Sequence, residues 1–269
     1  MDGIVIQLET PKILARVEDG IGWLTFNQPE KRNAISMEMW QAVATAAERF
    51  THDPAVRVVV MHGAGGKAFA SGADISQFEK MRDSAEAEAA YSATSSTARK
   101  GLEAMGKPLI AMIQGFCIGG GCATAMVADL RIASDDSRFG IPAARLGVAY
   151  AYDSLRRLVG LVGPAVAKDI MFTGRQLDAQ EALASGLINK IVPPAELEAT
   201  VTALAQTIAR NAPLSIRASK EAIDQIAGDP AKVDREKFEA MYRACFDSAD
   251  YAEGRASFMA KRPPVFGGH

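Results

Sequence analysis

The chain has 269 residues, of which 48% are hydrophobic and 23% charged, with a formal net charge of −2. That balance fits a folded globular protein and offers no basic surface for nucleic acid. Cys117, Cys122 and Cys245 are too few and too badly spaced for a disulfide framework or a zinc site, so no metal is expected.

Met1-Asp2-Gly3-Ile4-Val5 lacks the basic start and apolar run of a secretory leader. No apolar stretch approaches the ~20 residues of a membrane span. A cytoplasmic enzyme or binding protein is the expectation.

Ile13 to Glu18 and Ile21 to Phe26 flank Asp19-Gly20, which predicts a β-hairpin. A polar loop follows, Asn27 to Ile35, with the cations Lys31 and Arg32. It reads either as a solvated turn or as a phosphate contact. Ser36 can cap a helix on which Met37, Trp40, Val43, Ala44, Ala47 and Phe50 recur at helical spacing. Val56 to Met61 reads as a buried strand. His62 ends it, and a packed, hydrogen-bonded imidazole is favoured there over a catalytic one. The loop His62 to Ile75 is dense in glycine and alanine and so can lie close to a ligand, with Asp74 favouring a helix start. Residues 79–105 are alanine-rich and predict a helix, stopped at Lys107-Pro108.

The stretch Leu109 to Met126 organises the rest. An apolar strand to Gln114 leads through a tight turn to Gly119-Gly120-Gly121, which open a buried helix. Glycines at a helix start cost backbone entropy. They serve either close helix–strand packing or a ligand laid against main chain, where unpaired N–H groups favour an anion or an oxygen gaining negative charge. Cys117 and Cys122 read as buried thiols.

Leu130 to Ala133 and Arg138 to Gly140 read as short strands. The loop from Ile141 to Ser154 leads to a helix expected near Leu155, with Asp153 as its cap. Pro164 starts a further helix ending near Thr173-Gly174, Asp178 caps a short one ended by Gly186, and Ile188 to Val192 is a strand. From Glu196 the pattern is helical, divided by Pro213, Gly228 and Pro230. The class is therefore α/β, with an α/β core over 1–195, strand–helix crossovers, and a helical region over 196–269.

Asn33-Ala34, the run Ala68 to Ile75, Gly115 with Gly119-Gly120-Gly121-Cys122, Phe139-Gly140, Leu146-Gly147 and the tail Phe258 to Phe266 together resemble the enoyl-CoA hydratase/isomerase (crotonase) superfamily. The likeness spans nearly the whole chain in order. It implies a spiral of repeated ββα units, with a C-terminal helical part that builds trimers or hexamers (dimers of trimers). It implies an acyl-CoA thioester substrate, with coenzyme A carried on the substrate and no separate cofactor. Two backbone N–H groups, of Ala73 and Gly120, would form an oxyanion hole. Lys31 and Arg32 would face the CoA phosphates, Asp74 and Ile75 would line the adenine side, and Ala34 and Ala70 would also meet substrate. Phe258 and Lys261 would reach CoA on a neighbouring subunit.

The family's hydratases use two glutamates, at positions that here are Ala123 and Ala143. Alanine can act neither as the base that activates water nor as the acid at the α-carbon. Tyr150-Ala151-Tyr152-Asp153-Ser154 replaces a proline–glycine-rich run, and Leu146 to Tyr150 is similar to the methylmalonyl-CoA decarboxylase branch. That branch differs in having histidine at Ala73 and glutamate at Ala123. Tyr150, otherwise a packing residue, and Asp153 are the candidate acid–base groups. The expected activity is an enolate-forming acyl-CoA lyase, hydratase-like or decarboxylase-like. The alternatives are an isomerase, a hydrolase, or a thioester-binding protein with little catalysis.

Overall fold

A computed structural model describes residues 3–74 and 85–269. Apolar, β-branched runs build two sheets. The larger has the order β1-β2-β3-β4-β6-β8-β11 and the smaller β10-β9-β7-β5. Its edge is β1 (Ile4–Ile6), antiparallel to β2 (Ile13–Glu18). The hairpin to β3 (Ile21–Phe26) turns at Asp19 and Gly20, with φ of 50° and 80°. Positive φ at both central positions is the turn that Asp-Gly favours.

From there the chain repeats one device. A strand enters the large sheet, the next enters the small sheet, and a helix returns the chain. The first pair is β4 (Val58–Gly63) with β5 (Ala68–Ala70), and the second is β6 (Leu109–Ile113) with β7 (Phe116–Ile118). The third is β8 (Leu130–Ser134) with β9 (Arg138–Gly140). The large-sheet members run parallel from β3 to β11 (Lys190–Val192), while β10 (Gln176–Asp178) closes the small sheet antiparallel to β9. This is the expected ββα spiral. The three-residue strands β5 and β7 stand where the sequence pointed to a loop and a turn. Such short strands carry too few residues for a period-2 signal.

Helix α1 (Met37–His52) buries Met39, Trp40, Val43, Ala47 and Phe50, and Ser36 Oγ caps it through Met39 N–H at 3.4 Å. Helix α2 (Ala85–Glu103) packs beside it, and α3 (Gly120–Ala125) follows β7. After α4 (Ala143–Leu146) comes α5 (Tyr152–Thr173), broken at Gly163 (φ 72°, ψ 166°) so that Pro164 starts its second half. Here the sequence reading needs correction. The helix begins at Tyr152, its N-cap is Ala151, and no side chain caps it. Asp153 lies inside the first turn instead. Helix α6 (Ala179–Ala184) has a capping box of Asp178 and Glu181.

Helix α7 (Pro194–Arg210) lays Leu197, Val201 and Ala205 on the second face of the large sheet, against Trp23, Val58, Val60 and Ile110. The boundary expected at 195/196 falls within this helix. Helices α8 (Pro213–Ile226), α9 (Arg235–Phe246) and α10 (Ala249–Met259) complete the chain. Among the described residues, no helix is long and apolar enough to cross a membrane.

Candidate active site

Two turns of small residues meet where the paired strands leave the sheets. The first follows β5. Ser71 N–H donates to Arg32 carbonyl at 3.1 Å, Ile35 N–H to Gly72 carbonyl at 2.8 Å, and Asp74 N–H to Ile35 carbonyl at 3.2 Å. Ile35 and Ala73 thus form an isolated parallel bridge. In such a bridge the groups of Gly72 and Asp74 point at Ile35, and the N–H of Ala73 points to the other side.

The loop that braces this turn is itself tied down. Asn33 Nδ2 donates to the carbonyls of Ala64 (3.0 Å) and Ala68 (2.7 Å), and Asn33 Oδ1 accepts from Gln28 N–H at 3.0 Å.

The second turn follows β7. Gly119 has φ 55° and ψ −118°, a conformation open to glycine alone. Its N–H donates to Gly140 carbonyl at 2.8 Å and its carbonyl accepts from Ala123 N–H at 3.0 Å. Gly120 is the first helical residue, so its N–H has no partner in its own helix. A Cβ on Gly121 would stand 2.1 Å from Ala70 carbonyl oxygen, and one on Gly120 would stand 3.9 Å from Ala73 N. The glycines therefore let the two turns touch. Among the described residues, neither Ala73 N–H nor Gly120 N–H donates to an acceptor.

Tyr150 joins this place. Its hydroxyl donates to Gly119 carbonyl at 3.2 Å, and its ring packs on the core. Burial pushes its phenol well above the usual tyrosine range, with Cys122 adding to the effect and Arg99 opposing it. It is a neutral O–H donor. Ala123 and Ala143 are buried, at 4% and 5% exposure, and bring no carboxylate. Cys117 and Cys122 are buried free thiols. Burial, then a hydrogen bond with Cys122, pushes the Cys117 thiol up, so it is no nucleophile.

The other expected residues divide. Asp153 is exposed and pairs with Lys100 at 3.8 Å, and no hydrogen bond joins it to Tyr150. Lys31 Nζ donates to the buried Asp74 at 2.8 Å, and Gln28 Nε2 lies 3.4 Å from the same oxygen. Arg32 lies over the Phe116 ring at 5.0 Å. Ala34 and Ala70 are buried beside this turn. Ile75 lies outside the described residues. Phe258 is 82% exposed and Lys261 is exposed with φ 52°. No contact among the described residues joins them to Ala73 or Gly120.

Sequence reasoning missed Arg99. It is half-buried on α2, with its guanidinium 5.1 Å over the Trp40 ring. A signal was present, since Arg99 sits beside the helical stripe Ser95, Ala98, Leu102 that proves buried. His62 is the packed imidazole expected, 2.9 Å from Thr25 Oγ1 and edge-on to Trp23.

The family model described as "Enoyl-CoA hydratase/isomerase" matches residues 16–269. The short-chain-enoyl-CoA hydratase of Clostridium acetobutylicum is 34% identical over 95% of this chain and 97% of its own length. The crotonyl-CoA hydratase of Syntrophomonas wolfei is 35% identical over 94% and 97%. A crystal structure of an enoyl-CoA hydratase/carnithine racemase from Magnetospirillum magneticum superposes with a TM-score of 0.92 at 38% identity, covering 97% of both chains. The chain belongs to the enoyl-CoA hydratase/isomerase family.

Proposed function

We propose that this protein is an acyl-CoA thioester lyase that generates a thioester enolate and holds its charge on the main-chain N–H groups of Ala73 and Gly120. One observation carries the reading. Two turns pressed together by glycine present two N–H groups that no acceptor among the described residues occupies. A thioester carbonyl oxygen between them would accept both bonds and gain most as it becomes an oxyanion. One such donor is typically worth ~3–4 kcal/mol of barrier. The names of the relatives, hydratases of enoyl- and crotonyl-CoA, support a CoA thioester as substrate.

Ala123 and Ala143 remove the ordinary pair of acid–base carboxylates, so the proton work falls to Tyr150. In a decarboxylation, the bond from the α-carbon to the carboxylate breaks and CO2 leaves. The electron pair becomes the enolate, and the Tyr150 hydroxyl gives the α-carbon its proton, later regained from water. Asp153 assists from the exposed first turn of α5. Lys31 and Arg32 meet the CoA phosphates, Lys31 from its pairing with Asp74. The adenine side is assigned to Asp74 and Ile75, Ala34 and Ala70 are further substrate contacts, and coenzyme A comes with the substrate. Phe258 and Lys261 extend from the helices beyond α7 to the CoA of a neighbouring subunit in a trimer or a dimer of trimers.

Mass spectrometry of the pure protein with mixed enoyl-, hydroxyacyl- and malonyl-type CoA thioesters tests this. The expected result is loss of CO2, or gain or loss of water, from at least one thioester, abolished by Tyr150→Phe. Thioester-dependent thermal stabilisation with no turnover would make it a binding protein. Turnover abolished by Asp153→Asn but kept in Tyr150→Phe would favour the isomerase or hydrolase reading.

A further inference from the structure

Helix α2 brings one cation to the inner side of the molecule. Ser95, Ala98 and Leu102 form its buried stripe, at 4%, 0% and 1% exposure. Lys100 and Glu103 direct their charges to α5, pairing with Asp153 at 3.8 Å and Arg157 at 2.6 Å. Arg99 does not. Its guanidinium stacks on Trp40, and Nη2 donates to Ser95 Oγ at 3.1 Å. Among the described residues no carboxylate pairs with it.

The support beneath is hydrogen-bonded to the first turn of the site. Trp40 Nε1 donates to Tyr91 hydroxyl at 2.9 Å, and Tyr91 hydroxyl to Ile35 carbonyl at 3.0 Å. Ile35 is the residue bridged to Ala73. Arg99 is therefore positioned from the same bridged loop residue that orients one of the two amides. The Tyr150 phenol and Arg157 lie within electrostatic range of the guanidinium.

A guanidinium has five donors in one plane. Stacking covers its face and leaves the in-plane donors directed outward. Among the described residues only one of them is used. Burial lowers Arg99 from its ordinary value, with Tyr150 and Tyr91 opposing and Arg157 assisting. A half-buried cation with idle donors and no counter-charge among the described residues is a poor arrangement for stability alone. With Ala123 and Ala143 in place of carboxylates, the protein supplies no anion from those two positions.

We infer that Arg99 selects acyl-CoA thioesters whose acyl chain ends in a carboxylate. The inference rests on the acyl-CoA reading and adds the substrate class, monothioesters of dicarboxylic acids. An ion pair with a departing carboxylate would stabilise reactant over enolate. The carboxylate held by Arg99 is therefore one that the reaction keeps, distal to the α-carbon.

Calorimetric Kd values for length-matched pairs test this: succinyl-CoA against butyryl-CoA and glutaryl-CoA against pentanoyl-CoA. The wild-type protein is expected to bind the carboxylated member of at least one pair roughly tenfold or more tightly. Arg99→Gln should bring that ratio to about two or less, and Arg99→Lys should keep part of it. No preference in the wild type, with both members bound, overturns the inference. So does a preference that survives in Arg99→Gln. If neither member of any pair binds, the acyl-CoA reading itself has failed and takes the inference with it. Should Arg99→Gln not fold, as judged by circular dichroism, the wild-type ratio decides.

Discussion

Gly121 shows how single residues set the site. A Cβ there would overlap the carbonyl of Ala70, with backbone rather than a flexible side chain in the way. Gly121→Ala must therefore push α3 from β5 and so part Gly120 from Ala73. Overpacking of this kind costs about 1–3 kcal/mol, and turnover should fall with it. Gly160→Ala, on α5 with nothing within 4 Å, is the contrast. It should be neutral or stabilising by up to about 1 kcal/mol. Thermal melts of both variants check the pair, and equal melting shifts would contradict the close-packing account. The glycine cluster was legible because three glycines at a helix start are otherwise hard to justify. For Arg99 only its place beside the stripe Ser95, Ala98, Leu102 was legible; its stacking on Trp40 was not, because Trp40 lies on another helix and helical spacing cannot show a tertiary neighbour.

Elements read well where one local device fixes them. Asp19-Gly20 specified its hairpin, and Ser36 and Asp178 marked their helix starts. The start of α5 is poorly marked in the sequence because a short acidic residue there resembles a cap, whereas Asp153 pairs with Lys100 and Ala151 supplies the extended residue before the helix. The pairing of β3 with β4 has a measurable consequence. It sets His62 opposite Thr25, where burial lowers the imidazole from its ordinary 6.5 to about 4. A hydrogen bond with the Gly63 backbone opposes this and Arg16 adds to it. The unfolded chain therefore takes up this proton first as pH falls. The stability that His62 contributes is whole above 6.5 and is lost as pH drops towards 4. Melting temperature should fall through that window in the wild type and fall less in His62→Gln. Identical pH profiles would contradict it.

The molecule as a whole was legible in class and in its repeated units, because strand and helix signals alternate along the chain. The assignment of successive strands to two different sheets was not, since an apolar run looks the same whichever sheet receives it. Beyond α7, the chain leaves Ile226, Phe258 and Met259 more than 80% exposed, which accords with the proposed trimer or dimer of trimers. Light scattering on the eluting protein should give three or six times the chain mass, and a stable monomer would contradict that assembly. A crystal structure with an unreactive acyl-CoA analogue bound tests the role of the two amides most directly. The thioester oxygen is expected about 2.7–3.1 Å from both Ala73 N and Gly120 N. A bound thioester whose oxygen meets neither amide would contradict it.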